Sequence, residues 1–463
     1  MAKTLFDKLW DQHRVCEAGD GYDLIAIDRL LLHERTGSVA LKSLRENGYK
    51  VRDPSRVFAI MDHIVSFRAG RGRNEARSPG GEAFITETRA MAQDAGLHLI
   101  DTDSPSQGIV HVVAPEQGIA LPGLSLVCPD SHTCSLGALG TLAWGIGSSE
   151  AEHAMVTGVL RVQKPPQMRV RIDGALPSGC SAKDLALHLI ATHGAGGGKR
   201  CAIELCGTTV AALDVEARLT LCNMAVEFAA FTAVIAPDDK VIDYVDQRSF
   251  TAAAGADARA QWRDLKSDPD ADFTHEIEID ATQIRPQMSW GTSPEESGPL
   301  NMIVPMAARP QALNYMGLQA GQKLMGLEIG GAFIGSCTNG RLSDLQAAAE
   351  ILRGRHVAPG VRAVCVPGSK LVREAAEAQG IDRVFKQAGF EWGEPGCAMC
   401  FYAGGETFAP ETRVVSSTNR NFEGRQGPGV RTHLTSPAVV AACAVAGKIC
   451  APADLPIMEA EVA

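Results

Sequence analysis

The chain has 463 residues, room for two to four domains, and its 45% hydrophobic content is ample for buried cores. It carries 44 lysines and arginines against 54 aspartates and glutamates, a formal charge of −10 that repels phosphate backbones and argues against nucleic-acid binding. No hydrophobic segment follows Met1, and no apolar run reaches the roughly 18 residues of a membrane span.

In chain order, Thr4 is placed to cap a helix reaching about Asp11. Residues 24–28, 57–61 and 125–128 read as buried strands. The second leads into Asp62-His63 and the third into Asp130-Ser131-His132-Thr133. Two apolar strands that each end in an Asp/His group favour a shared site. Residues 68–82 form a polar loop of arginines and glycines, read as solvated. Residues 108–111 look like another strand end, carrying His111, and Gly137 to Gly140 look like the opening of a helix through Glu150 to Thr157.

Pro165-Pro166 breaks this pattern. A half-exposed strand is expected at 168–172 and a helix at 185–190. The glycine run 194–198 lacks the Lys-Ser/Thr of a phosphate loop, so nucleotide binding is discounted. An apolar strand at 201–206 buries Glu204, which is either paired structurally or working. A polar, acidic linker follows at 264–272, then an alternating strand at 276–280.

From about residue 286, strands and helices alternate: 331–334 into 341–353, then 362–366 into 370–379. A strand at 413–416 ends at Asn419-Arg420, and a helix closes the series at 437–448. This order predicts a mainly parallel sheet. The expected domains are residues 1–165, 166–285 and 286–463, with a short extension after Pro452.

The thirteen cysteines form no disulfide framework in so long a chain, and the composition fits a reducing cytoplasm. There, clustered thiols read first as metal-binding or catalytic. Cys337 sits in G-S-C-T-N, in the turn leaving a strand, and Cys397-x-x-Cys400 sits in a Pro/Gly-rich loop. The spacing alone leaves open an iron–sulfur cluster, zinc, a redox pair or plain buried thiols. The other ten cysteines, in apolar runs, read as core.

G-S-C-T-N, P-G-C-x-M-C and the later S-T-N-R-N-F-E-G-R, in that order, resemble the aconitase superfamily, and within it the isopropylmalate dehydratase large-subunit branch. The resemblance runs nearly end to end. It implies an α/β fold of three aconitase-like domains around a cluster-containing cleft. It implies a [4Fe-4S] cluster held by Cys337, Cys397 and Cys400, with one iron left open as a Lewis acid. It makes Asp62–His63 the proton-delivering pair, places Asp130, His132 and His111 around the hydroxyl, and puts Glu204 near the open iron. Asn339 and Asn419 match positions beside the cluster, and Arg420 and Arg425 match carboxylate-binding arginines. The implied activity is a hydro-lyase on a small 2-hydroxy dicarboxylate. The base, a serine, is implied on a separate small subunit, since the chain ends soon after the third unit.

Several residues depart from the family pattern. Val39 replaces a glutamine, Ile64 an asparagine, Phe67 a threonine and Leu136 a histidine, while Lys199 and Gly340 also differ. If the four apolar residues line the pocket, they narrow it and favour a smaller diacid such as citraconate, (R)-2-methylmalate or maleate. Two further readings compete: an apo-form RNA-binding protein and a zinc-stapled structural subunit.

Overall fold

The computed structural model describes residues 2–246, 248–251 and 256–456. The chain divides into two compact units. The first runs to Val65 and resumes over Gly72–Leu176 and Ala195–Gln283. The second takes Ser66–Arg71, Pro177–Gly194 and the described residues from Ile284 onward.

Short apolar strands joined by helical crossovers must pair in parallel and be covered on both faces. The first unit contains two such sheets. In one, the strands run in the order His98–Ile100, Val57–Ile60, Arg29–His33, Ser125–Cys128, Leu142–Gly145, all parallel. The chain leaves Arg29–His33 towards one side and later returns on the other, so the strand order reverses between this strand and Ser125–Cys128. In open α/β sheets, sites form beyond the carboxyl ends of the strands that flank such a reversal. The second sheet orders Thr232–Val234, Ala202–Cys206, Gln167–Asp173 and His275–Asp280, again all parallel. The core here gathers Leu5, Leu9 and Trp10 of the first helix with Leu30, Leu32, Val127 and Trp144.

The second unit repeats the design with the order Glu391–Trp392, Arg362–Cys365, Gly331–Ile334, Arg413–Ser416, Arg431–Leu434. Its reversal lies between Gly331–Ile334 and Arg413–Ser416.

Helix Leu5–His13 is capped as expected: the Thr4 hydroxyl accepts from the Asp7 N–H, and the Asp7 carboxylate accepts from the Thr4 N–H. Three expectations are corrected. The strand expected at 24–28 is Tyr22–Ala26, in a separate antiparallel sheet, and of its five residues only Ile25 is buried. The central strand is the adjoining run Arg29–His33, because its three leucines fill the core. Residues 108–111 enter a helix, Val110–Glu116, whose first N–H is taken by the buried Asp62 carboxylate at 2.8 Å. The helix expected over 137–157 is three elements: a 3-10 segment Ser131–Leu139, strand Leu142–Gly145 and helix Ser148–Thr157. Gly140, at φ 75°, ends the first of them, and Gly137 lies against the Ala233 carbonyl with no room for a Cβ.

Candidate active site

In the first unit, three neighbouring strand ends deliver acids and histidines to one place. Arg29–His33 ends in His33-Glu34, Val57–Ile60 leads to Asp62-His63, and Ser125–Cys128 leads to Asp130. The His63 ring lies between two carboxylates, with Nδ1 2.6 Å from Asp62 Oδ1 and Nε2 3.2 Å from Asp130 Oδ2. Ionised carboxylates only accept, so the ring can donate to both of them only with both nitrogens protonated. His33 stacks on it at 3.8 Å between ring centroids. Asp130 Oδ1 accepts the His132 N–H at 2.7 Å and lies 3.8 Å from His111 Nδ1. His132 Nε2 meets Glu227 Oε1 at 2.8 Å, and His111 Nε2 meets the Thr133 hydroxyl at 3.2 Å.

Burial and pairing push these groups apart in acidity. Burial alone would raise Asp130, but hydrogen bonds from His132 and His63 and the nearby His111 hold it well below the usual carboxylate range. Asp62 is lowered in the same way, against burial, by His63. Burial pushes His111 down to about 4 and His33 to about 3, so both are neutral at pH 7. Burial and the Asp62 charge lift Glu34 to about 7, although it accepts N–H groups from Asp62 at 3.0 Å and Ile64 at 2.5 Å. Acids and bases with separated affinities are what proton-transfer chemistry requires. Potential ligand atoms of His33, Glu34, Asp62 and His63 lie within 4.8 Å of one another. Both ring nitrogens of His63 face carboxylates, and the Glu34 and Asp62 carboxylates already accept from N–H donors. The group therefore suits proton handling better than a metal ion.

In the second unit, Cys337, Cys397 and Cys400 are all buried. Cys337 follows strand Gly331–Ile334, and the Cys397/Cys400 loop follows Glu391–Trp392. Two residues beside the thiols hold left-handed backbone without being glycine: Ser336 at φ 81° and Ala398 at φ 48°. Such strain persists where function over-determines the turn. At Gly340 an added Cβ would lie 2.8 Å from the Ser336 carbonyl oxygen, so this turn has no room for a side chain as it stands.

Asn419 ties two thiols together: its Nδ2 donates to Cys337 Sγ at 3.6 Å, and Cys400 Sγ donates to its Oδ1 at 3.7 Å. Arg425 Nη2 donates to Cys400 Sγ at 3.5 Å, with its guanidinium over the Phe401 and Phe422 rings. Asn339 turns instead to Asp344, at 2.8 Å, and Arg420 stands half-buried after the same strand as Asn419. Three buried thiols from two loops, two of them bridged by Asn419, are a soft donor set that suits an iron–sulfur cluster.

The segment Ser66–Arg71 clamps the cysteine loop from within this unit. Phe67 O accepts the Glu394 N–H at 2.7 Å, and Arg71 Nη1 donates to Pro395 O at 2.8 Å and Ser66 O at 2.7 Å.

Among the expected residues, Asp62, His63, His111, Asp130 and His132 converge in the first unit. Cys337, Cys400, Asn419 and Arg425 are joined in the second. Glu204 is tied elsewhere: mid-strand, it accepts the Ser267 hydroxyl at 2.5 Å, near the start of helix Leu5–His13. Burial raises its pKa. Of the four apolar departures, Ile64, Phe67 and Leu136 are buried, and Phe67 packs with Phe333, Val364 and Met399. Val39 is exposed. Sequence reading missed Glu34, Glu227 and Arg71. Only Glu34 left a signal, as an acid directly after an apolar run.

The profile of the aconitase family (aconitate hydratase) matches residues 7–447. The chain is 47% identical to 3-isopropylmalate dehydratase large subunit 1 of Bradyrhizobium diazoefficiens, over 99% of this chain and 97% of that protein. A crystal structure of Thermococcus kodakaraensis aconitase X in its holo form aligns at TM-score 0.47 and 13% identity, covering 88% of each chain.

Proposed function

Because the chain belongs to the aconitase family, and is thus a hydro-lyase of the iron–sulfur class, we propose that it is the cluster-bearing large subunit of a 3-isopropylmalate dehydratase. It would interconvert 2- and 3-isopropylmalate in a reducing cytoplasm, with a separate small subunit. In this reading three α/β domains, with limits near residues 165 and 285, would each take one of the parallel sheets as its centre. The observation that carries the reading is the presence, in one chain, of His63 clamped between two carboxylates and of three buried thiols, two of them bridged by Asn419.

Cys337, Cys397 and Cys400 would hold a [4Fe-4S] cluster, which supplies Lewis acidity towards a hydroxyl departing from carbon. The remaining work falls to side chains. His63 holds a proton at Nε2 that the departing hydroxide takes, leaving as water, and Asp62 and Asp130 hold the ring for that transfer. Neutral His111 and the Glu227-anchored His132 orient the hydroxyl. Arg420 and Arg425 take the substrate carboxylates through paired N–H donors. The carbon-bound proton passes to the serine of the small subunit. Readdition of water with the opposite orientation gives the isomer.

The test is turnover by the anaerobically reconstituted pair of subunits. Faster turnover of isopropylmalate than of citraconate, 2-methylmalate or maleate supports the reading. The reverse order would assign the chain to a smaller diacid, with exposed Val39 the first residue to restore to glutamine. Turnover of none of them by a loaded enzyme would refute both.

A further inference from the structure

Arg341 begins the helix after Cys337 and is buried to 1% exposure, among the largest fully buried side chains. Its guanidinium folds back over the cysteine turn, where Nη1 donates to the Thr338 carbonyl at 3.1 Å. Nε and Nη2 have no hydrogen-bond partner. The acid nearest in sequence, Asp344, is spent on capping: Oδ2 accepts the Arg341 backbone N–H at 3.1 Å and Oδ1 accepts Asn339 Nδ2 at 2.8 Å.

A buried guanidinium with two idle donors and no counter-charge is a cost that folded proteins avoid. Arg218 makes the contrast. It is equally buried and also leaves Nε unpaired, yet its Nη2 reaches the Asp238 carboxylate at 2.6 Å, so its charge is answered. Arg425 also has a buried Nε without a partner, while its Nη2 reaches Cys400 Sγ. Two arginines thus keep unspent donors in the segments that carry the thiols: Arg341 folded onto the turn that follows Cys337, and Arg425 bonded to Cys400. The charge that would complete them is negative, and thiolates on an iron–sulfur core carry net negative charge.

We propose that Arg341 is a positioning residue for the cluster: its idle N–H groups neutralise and hydrogen-bond the thiolate and sulfide charge that arrives with the cofactor. The inference rests on the cluster reading above. Hydrogen bonds and charge beside cluster sulfurs set both retention and potential. Arg341 therefore stabilises the loaded site while straining the empty one.

That asymmetry is the test. Wild type, Arg341→Lys and Arg341→Met are reconstituted without oxygen, and four quantities are read: iron and sulfide per chain, the rate of iron loss to a chelator, the cluster's reduction potential, and Tm with and without cluster. Arg341→Met is expected to lose iron about 10–100-fold faster and to shift the potential negative. Its apo Tm should equal or exceed the wild-type value, with Arg341→Lys between. Equal iron retention and potential in all three would overturn the proposal. So would an equal fall in apo and holo Tm, which marks a packing role. Wild type without iron would instead overturn the cluster reading itself.

Discussion

Asp62→Asn isolates the proton-delivery step. The wild-type carboxylate is fully buried and serves two donors, His63 Nδ1 at 2.6 Å and the Val110 N–H at 2.8 Å. An asparagine oxygen can keep only one of them. If it keeps Val110, its amide N–H₂ faces Nδ1 and turns that nitrogen into an acceptor. The ring is then a neutral tautomer: its Nε2 proton remains, held by Asp130, but a neutral imidazole is a far weaker acid than an imidazolium and gives that proton up much less readily. A charge-assisted buried hydrogen bond is worth about 1.5–3 kcal/mol, or about 10–150-fold in rate at about 1.4 kcal/mol per decade. General acid catalysis is worth about 10²–10⁴-fold. The expected outcome is a kcat lower by about 10²–10³-fold, KM changed little, and a Tm close to wild type because the helix cap survives. The assay is steady-state kinetics of the reconstituted enzyme, normalised to iron per chain. A kcat within about threefold of wild type at equal iron content would refute the role of this pair, since so small a change is under 1 kcal/mol.

Cys400→Ser should lower iron per chain sharply while leaving far-UV circular dichroism unchanged; full iron loading would remove Cys400 from the ligand set. Arg71→Gln removes the bonds to Pro395 O and Ser66 O, so the loaded protein should lose iron to a chelator several-fold faster, on the order of 1–2 kcal/mol. An unchanged rate would make the clamp incidental. His433 lies between Arg413 and the Ser289 carbonyl; burial, and then the Arg413 charge, push its pKa down to about 3 against the opposing bond to that carbonyl. Between pH 6.5 and 3 the unfolded chain therefore binds a proton that the folded chain does not, and stability falls as pH falls, by about 1.4 kcal/mol per unit. His433→Gln keeps both bonds and should flatten the apo-protein's denaturation profile by about that slope. Parallel profiles would refute the assignment.

What could be read from the sequence follows from how local each signal is. Asp62-His63, Asp130 and Cys337 were visible because each sits within a few residues of an apolar strand's end, where parallel sheets expose side chains. The strand and helix limits of the last third were close for the same reason: Gly331–Ile334 and Arg413–Ser416 are short apolar runs punctuated by polar turns. The central strand Arg29–His33 was hidden by the equally apolar run beside it, since periodicity cannot rank two adjacent buried segments. The Val110–Glu116 helix was hidden because its start is fixed by a carboxylate 48 residues away.

The partners of Glu227 and Arg71 lie 95 and 324 residues off, so neither residue left a mark in its own neighbourhood. Arg341 was read only as a helix start, because burial without a counter-charge is a property of space, not of sequence. In both units the reactive groups are thus written next to the strands that carry them, while the residues that hold them in place are written elsewhere. Substitutions at such remote holders should change retention and protonation before they change the fold. That is why iron content and pH profiles, more than activity alone, separate the two kinds of residue.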